Sequence, residues 1–113
     1  MATAILFIGF GHAHNAQETE KAVGWLASEG MPYLQKQIGS FAERVEPFAL
    51  TPHGGDLFGG VMMFGERAKL DELRRTDQFE AFSMNLSRRF SHVGIVPGVN
   101  WEGIQGVMKR VNK

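Results

Sequence analysis

Cysteine is absent from this chain, which removes disulfides, thiolate metal centres and a cysteine nucleophile together, and agrees with a reducing compartment. Excess charge of either sign is absent too, since 12 Lys and Arg balance 12 Asp and Glu. The electrostatic footprint required by nucleic acid or an anionic membrane is therefore missing, and neither is expected as a partner. The apolar run at the start covers only about ten residues, against roughly twenty for a bilayer span, and it lacks the basic residues of a secretory signal. A soluble, cytoplasmic protein is expected, in which the Asn85-Leu-Ser87 sequon is a chance match. Internal repeats and low-complexity linkers are also lacking, and 113 residues suit one domain, 1–113, with a single core.

What is present is concentrated in Thr3-Ala-Ile-Leu-Phe-Ile-Gly-Phe-Gly-His-Ala-His14. Every residue from Ala4 to Phe10 except Gly9 is apolar, and a strand apolar on both faces must be covered on both. Gly9 and Gly11 give backbone freedom where it ends, and Asn15 with Glu18 forms a helix-capping pair. The first unit is strand, turn, helix.

From Ala16 to Phe41 the pattern predicts helix in two pieces, with Gly30 and Pro32 interrupting between them. Arg44 to Thr51 and Leu57 to Gly65 read as strands. Thr51-Pro-His-Gly-Gly-Asp56 between them is a hairpin connection, so the two pair antiparallel. Leu57 to Gly65 is again apolar on both faces. Glu66 to Phe90 is helical in two segments, with Asp77 and Glu80 as a fresh cap pair. His92 to Val96 is a short strand stopped by Pro97-Gly98. Ile104, Val107, Met108 and Val111 share one face of a tail helix within 101–113, with Lys109 and Arg110 opposite.

The order is βαββαβ plus a tail helix. This is the α+β, ferredoxin-like plan: a four-stranded antiparallel sheet with its first and third strands central and helices on one face. The other face needs a cover, and a second copy of the sheet is the economical one, giving an isologous homodimer. With its length, this plan and the segment Leu73-Arg-Arg-Thr-Asp-Gln-Phe79 ahead of the second helix, the chain resembles the dimeric α/β-barrel superfamily over roughly residues 3 to 99. That superfamily includes antibiotic-biosynthesis-type monooxygenases, muconolactone isomerases and polyketide cyclases. The resemblance implies a cofactor-independent oxygenation, isomerisation or cyclisation of a small apolar or aromatic molecule, and it carries no branch signature that would transfer catalytic residues. The tail helix is not a general feature of the superfamily and packs over the barrel or reaches the partner.

The plan places the end of the first strand beside the start of the fourth, bringing His12 and His14 toward His92 as the candidate catalytic groups. Glu66 is expected at the same edge. Three imidazoles and a carboxylate suit a first-row metal or hold a general base near neutral pH; solvated strand-end histidines are the commoner case, so no metal and no cofactor is assigned. His53 is expected at the opposite edge, as a turn residue. Gly9-x-Gly11 imitates a dinucleotide-binding turn, but His14 occupies the third glycine position and a hairpin follows. Arg74-Arg75 and Arg88-Arg89 are solvated helix faces or anion contacts. Met62 and Phe64 line an apolar pocket under the sheet, with Tyr33 and Trp101 at its rim, although packing under the tail helix is the other task open to Trp101. The rival to a catalytic site is a non-catalytic dimeric binding or assembly module with incidental histidines.

Overall fold

The structure is a computed structural model that describes residues 2–51 and 53–112. Strands β1 (Ala4–Phe10), β2 (Arg44–Ala49), β3 (Gly59–Gly65) and β4 (Gly94–Val99) form one antiparallel sheet in the order β2-β3-β1-β4. The two strands apolar on both faces, β1 and β3, are the central pair. Helices α1 (Ala16–Trp25) and α2 (Met31–Gln35) follow β1, α3 (Arg67–Arg74) and α4 (Asp77–Arg89) follow β3, and α5 (Trp101–Val111) follows β4. The architecture is α+β with a ferredoxin-like sheet.

Strand alternation divides the sheet into two unlike faces. Ala4, Leu6, Ile8 and Phe10 of β1, Val61 and Met63 of β3 and Val45 of β2 point to the helices and are buried with Ala22, Leu34, Leu70, Leu73, Phe79, Phe82, Leu86 and Phe90. Ile5 and Phe7 of β1, Met62 and Phe64 of β3 and Phe48 of β2 point the other way and remain half-buried, while Val96 of β4 is 54% exposed.

Gly9 and Gly60 face one another across β1 and β3 on this open side. Phe7 and Phe48 lie over them as a stacked pair, ring centroids 5.8 Å apart. A Cβ on Gly9 would stand 2.5 Å from the Phe7 ring, and one on Gly60 would strike the Ile8 carbonyl and stand 2.9 Å from the Phe48 ring. The glycines thus form a floor on which the aromatic rings lie flat.

Three local readings are corrected. The helical piece after α1 is not interrupted at Gly30 and Pro32: Leu26–Gly30 widens into a π-type turn, with Met31 N–H reaching back to Leu26 O, and leads straight into α2. The wider turn accommodates a proline that has no N–H to donate. The cap of α4 is Thr76, whose hydroxyl accepts from Phe79 N–H at 3.2 Å, and not Asp77, which is already the first helical residue. β4 runs through Pro97-Gly98 to Val99 rather than stopping there, because an edge strand has an outward N–H row that proline leaves unharmed; Pro47 occupies the other edge strand, β2. Of the turn cluster between β2 and β3, Pro52 lies outside the described residues, as do Met1 and Lys113. No described helix is long and apolar enough to cross a membrane.

The floor generates a paired test. Gly60→Ala presses a methyl group into backbone on one side and a ring on the other, and should cost about 1–3 kcal/mol. Gly94→Ala meets nothing within 4 Å and should leave stability within about 0.5 kcal/mol. Urea denaturation of the two variants checks the difference.

Candidate functional site

The end of β1, the hairpin loop after β2 and the approach to β4 meet at one edge of the sheet. Gly11 N–H donates to Ser91 O at 2.7 Å, Ser91 N–H to His12 O at 3.1 Å, and Phe58 N–H to Phe10 O at 2.8 Å. The Ser91 hydroxyl also donates to His12 O. Ser91 thus holds the backbone of His12 from the β4 side and Phe58 holds Phe10 from the β3 side, although the His12 ring is exposed.

The His12 ring packs on Phe58, centroids 4.3 Å apart. It borders a cavity of about 370 Å³ whose other walls include Leu50, Thr51, His53, Leu57 and Phe58. Leu57 also reaches the open side of Gly9, where its methyl would lie 3.0 Å from an added Cβ. The cavity therefore adjoins the aromatic open face. His53 Nδ1 lies 2.9 Å from Thr51 O; a carbonyl can only accept, so Nδ1 carries the proton and Nε2 is the basic nitrogen of the neutral ring. That Nε2 lies close over Gly55, 2.7 Å from where a Cβ would stand.

His92 belongs to the same edge but turns elsewhere. It is the one described non-glycine residue with positive φ, at 51°. Its Nδ1 is 3.1 Å from Ser91 Oγ, whose own proton is given to His12 O, so Nδ1 is the donor here as well. Its Nε2 comes within 4.0 Å of Asp56 Oδ2, both side chains being largely exposed. Such a pair contributes little energy in water.

His14 leaves the group altogether. The chain quits β1 at Gly11, so the i, i+2 relation to His12 no longer holds, and Ala13 N–H is bound by the Thr19 hydroxyl at 3.0 Å. His14 instead borders a recess of about 550 Å³ on the helical side, with Lys21, Trp25, Arg88 and Arg89. Arg89 is held there by Asn85 at 3.0 Å and lies 4.5 Å over the Trp25 ring. Glu18 shares that wall and pairs with Lys21 at 3.7 Å, leaving Arg88 and Arg89 as its other charges.

The expected convergence of three imidazoles and a carboxylate is thus replaced by divergence. His12 and His92 share an edge by backbone, but the His12 ring packs on Phe58 while His92 contacts Ser91 and Asp56, and no three His, Asp or Glu side chains among the described residues form a metal-binding group. Glu66 is at the opposite edge: β3 runs antiparallel to β1, so its end at Gly65 pairs with Ala4 at the start of β1. The same antiparallel register brings the hairpin, and His53 with it, to the edge where His12 lies. Both positions are the reverse of those expected, because the direction of β3, antiparallel to β1, decides which edge each residue reaches.

Met62 and Phe64 do lie together on the open face. Arg44 stacks over the Phe64 ring at 4.0 Å and pairs with Glu46 at 3.2 Å, so the flank formed by β2 is polar. Tyr33 is behind the sheet, stacked on Phe82 with centroids 5.4 Å apart. Trp101 is 69% exposed on α5, neither at a pocket rim of the sheet nor packed beneath the helix.

Two expected outcomes follow from this geometry. The Tyr33 hydroxyl is buried without a well-aligned partner, and burial raises its pKa above the ordinary value near 10, with a weak contact to Thr76 opposing the rise. The folded chain then holds the phenol proton more tightly than the unfolded chain. Tyr33 contributes fully below the ordinary tyrosine value, and stability falls as pH climbs through the raised one. Because Tyr33 is the single tyrosine, absorbance titration at 295 nm reads it directly: the folded midpoint should lie above that in denaturant, and Tyr33→Phe should remove the associated alkaline loss. Separately, His92→Val puts a β-branched side chain at positive φ and should lower stability by about 1–3 kcal/mol, whereas His92→Gly should not lower it. Chemical denaturation separates the two.

Comparison with known proteins yields no match to a protein-family model and no curated protein of significant sequence similarity. Among solved structures, the chain is similar to a protein of Bacillus halodurans C-125 described as belonging to the ethyl tert-butyl ether d (EthD) family, whose crystal structure was determined at 1.40 Å resolution. The TM-score is 0.66 over 87% of this chain and 97% of that one, at 13% sequence identity. Likeness at that identity is a likeness of fold.

Proposed function

We propose that the protein is a homodimer that holds a small apolar or aromatic molecule between two sheets, with His12 as the polar group at the rim of the hollow. One observation carries this reading. The half-buried aromatic face of Phe7, Phe48, Met62 and Phe64 runs, by way of Leu57, into the cavity bordered by His12 and His53. Ligand sites are typically apolar walls with a few placed polar groups, and this face has that composition.

A second copy laid on the open face removes the rings from water and encloses the space between them. The structural likeness to an EthD-family protein supports the same arrangement. Within such a hollow, the neutral imidazole of His12 accepts or relays a proton from a ligand stacked on the sheet, as cofactor-independent oxygenation, isomerisation or cyclisation requires. Exposure of the His12, His53 and His92 rings favours a second reading, a dimeric binding module in which the imidazoles only hydrogen-bond the ligand or water.

Sedimentation at micromolar concentration should give a dimer, and Met62→Asp, which places a charge in the middle of the open face, should give a monomer that remains folded. With 2-naphthol as a fluorescent aromatic probe, His12→Ala should weaken binding severalfold at an unchanged melting temperature. A wild-type monomer, or probe affinity indifferent to both substitutions, would end the proposal.

A further inference from the structure

We infer that α5 is an arm that docks on a second copy of this chain, adding a second area of contact to the paired sheets. The inference rests on the dimer proposed above and goes beyond it by naming an element outside the sheet. Of the ten large hydrophobic side chains that are exposed among the described residues, five belong to this one helix: Trp101, Ile104, Val107, Met108 and Val111, with Trp101 and Val111 at 69% and 67%. None of its residues is buried. Trp101, Ile104 and Met108 lie along one groove with Gln105 and Lys109, at the spacing of an amphipathic seam.

The helix cannot fold back to cover itself. A single residue, Asn100, separates it from β4, and that residue is fastened at three atoms: its N–H donates to Thr3 O at 2.9 Å, its side-chain amide to Ala2 O at 2.8 Å, and its side-chain oxygen accepts from Gly103 N–H at 2.9 Å. Gly103 seats the first turn so closely that a Cβ there would lie 2.7 Å from Thr3 O and 2.6 Å from the Val99 side chain. The direction of α5 is therefore set at its root, and beyond that root it runs out from the body. The overall extents of 52 × 32 × 18 Å and radius of gyration of 15.1 Å reflect this, since about 13 Å is usual at this length.

The occupant follows from area and symmetry. With about 150–250 Å² for a whole aromatic side chain and less for an aliphatic one, the exposed parts of the five residues come to roughly 500 Å² per chain. A standard stable interface takes about 800 Å² from each partner. The arm alone falls short of that, so it serves as an addition to the paired sheet faces and not as an interface by itself. A two-fold axis that pairs the sheets repeats the arm contact on the other side, so one amphipathic helix is used twice. A small-molecule ligand would not need an eleven-residue apolar stripe, and the cationic end at Lys109 and Arg110 is too short a basic run for a membrane-surface helix.

Photocrosslinking tests the arm in the intact chain. A benzoylphenylalanine replaces Gln105 in isotopically light protein, which is mixed with heavy protein, unfolded and refolded together, and irradiated. Heavy–light crosslinked peptides are expected. Met108→Asp, at an exposed position, should raise the dimer dissociation constant at least tenfold in sedimentation without changing the circular dichroism of the subunit. Light–light crosslinks within one chain only, or a dimer indifferent to Met108→Asp, would overturn the arm while leaving sheet pairing intact. A wild-type monomer would instead overturn the dimer itself, and the arm with it.

Discussion

β1 and β3 lie side by side at the centre of the sheet, and each is apolar on both of its faces. Helices α1 to α4 supply one cover, under which Leu6, Ile8, Val61 and Met63 lose all contact with water. Nothing among the described residues supplies the other. Burying an aromatic or aliphatic side chain fully is worth about 1.5–3 kcal/mol, so a face of Phe7, Phe48, Met62 and Phe64 left half in water is a standing driving force for association. Most other features of the molecule follow from how that face is kept flat. The Gly9–Gly60 pair lowers the floor, the stacked Phe7 and Phe48 rings lie on it, and Arg44 with Glu46 marks its polar flank.

The chemistry is attached to this scaffold by its loops. Strand ends are places where period-two alternation lapses, and the histidines show what that does. His12 remains fixed by hydrogen bonds to Ser91 and its ring finds Phe58, while His14, two residues on, is carried round to the helical side. His92 accepts a left-handed backbone to present one nitrogen to Ser91 and the other toward Asp56. Backbone of this kind is uncommon for a residue with a side chain, and the carbonyl of His12 is the point that the Ser91 contacts serve.

The order of elements, the central pair and the uncovered face were all legible from runs of apolar residues, because burial on both sides of a strand writes itself directly into composition. The Asn15 cap was legible for the same local reason. Errors arose where the outcome depended on relations between elements. Glu66 and His53 exchanged edges once the antiparallel direction of β3 was followed, and Pro97 proved compatible with an edge strand. Thr76 took the cap ahead of Asp77 because only the residue before the first helical turn has the extended backbone a cap needs. The direction in which a single imidazole points is set by rotamers and loop closure, and no periodicity records it.

Apolar surface and polar side chains therefore occupy separable parts of the molecule. The open face is built from strand residues whose register is locked by the core on the reverse side, since a slip of one residue would turn Leu6, Ile8, Val61 and Met63 into water. The imidazoles sit on connections that the register does not constrain. Changes in the hairpin from Leu50 to Phe58 can alter which polar group borders the cavity without disturbing the floor, whereas any change at Gly9 or Gly60 disturbs both. A sheet of this design keeps its apolar face constant while the side chains on its edge loops are free to vary, a division of the kind that lets one fold carry unrelated sites.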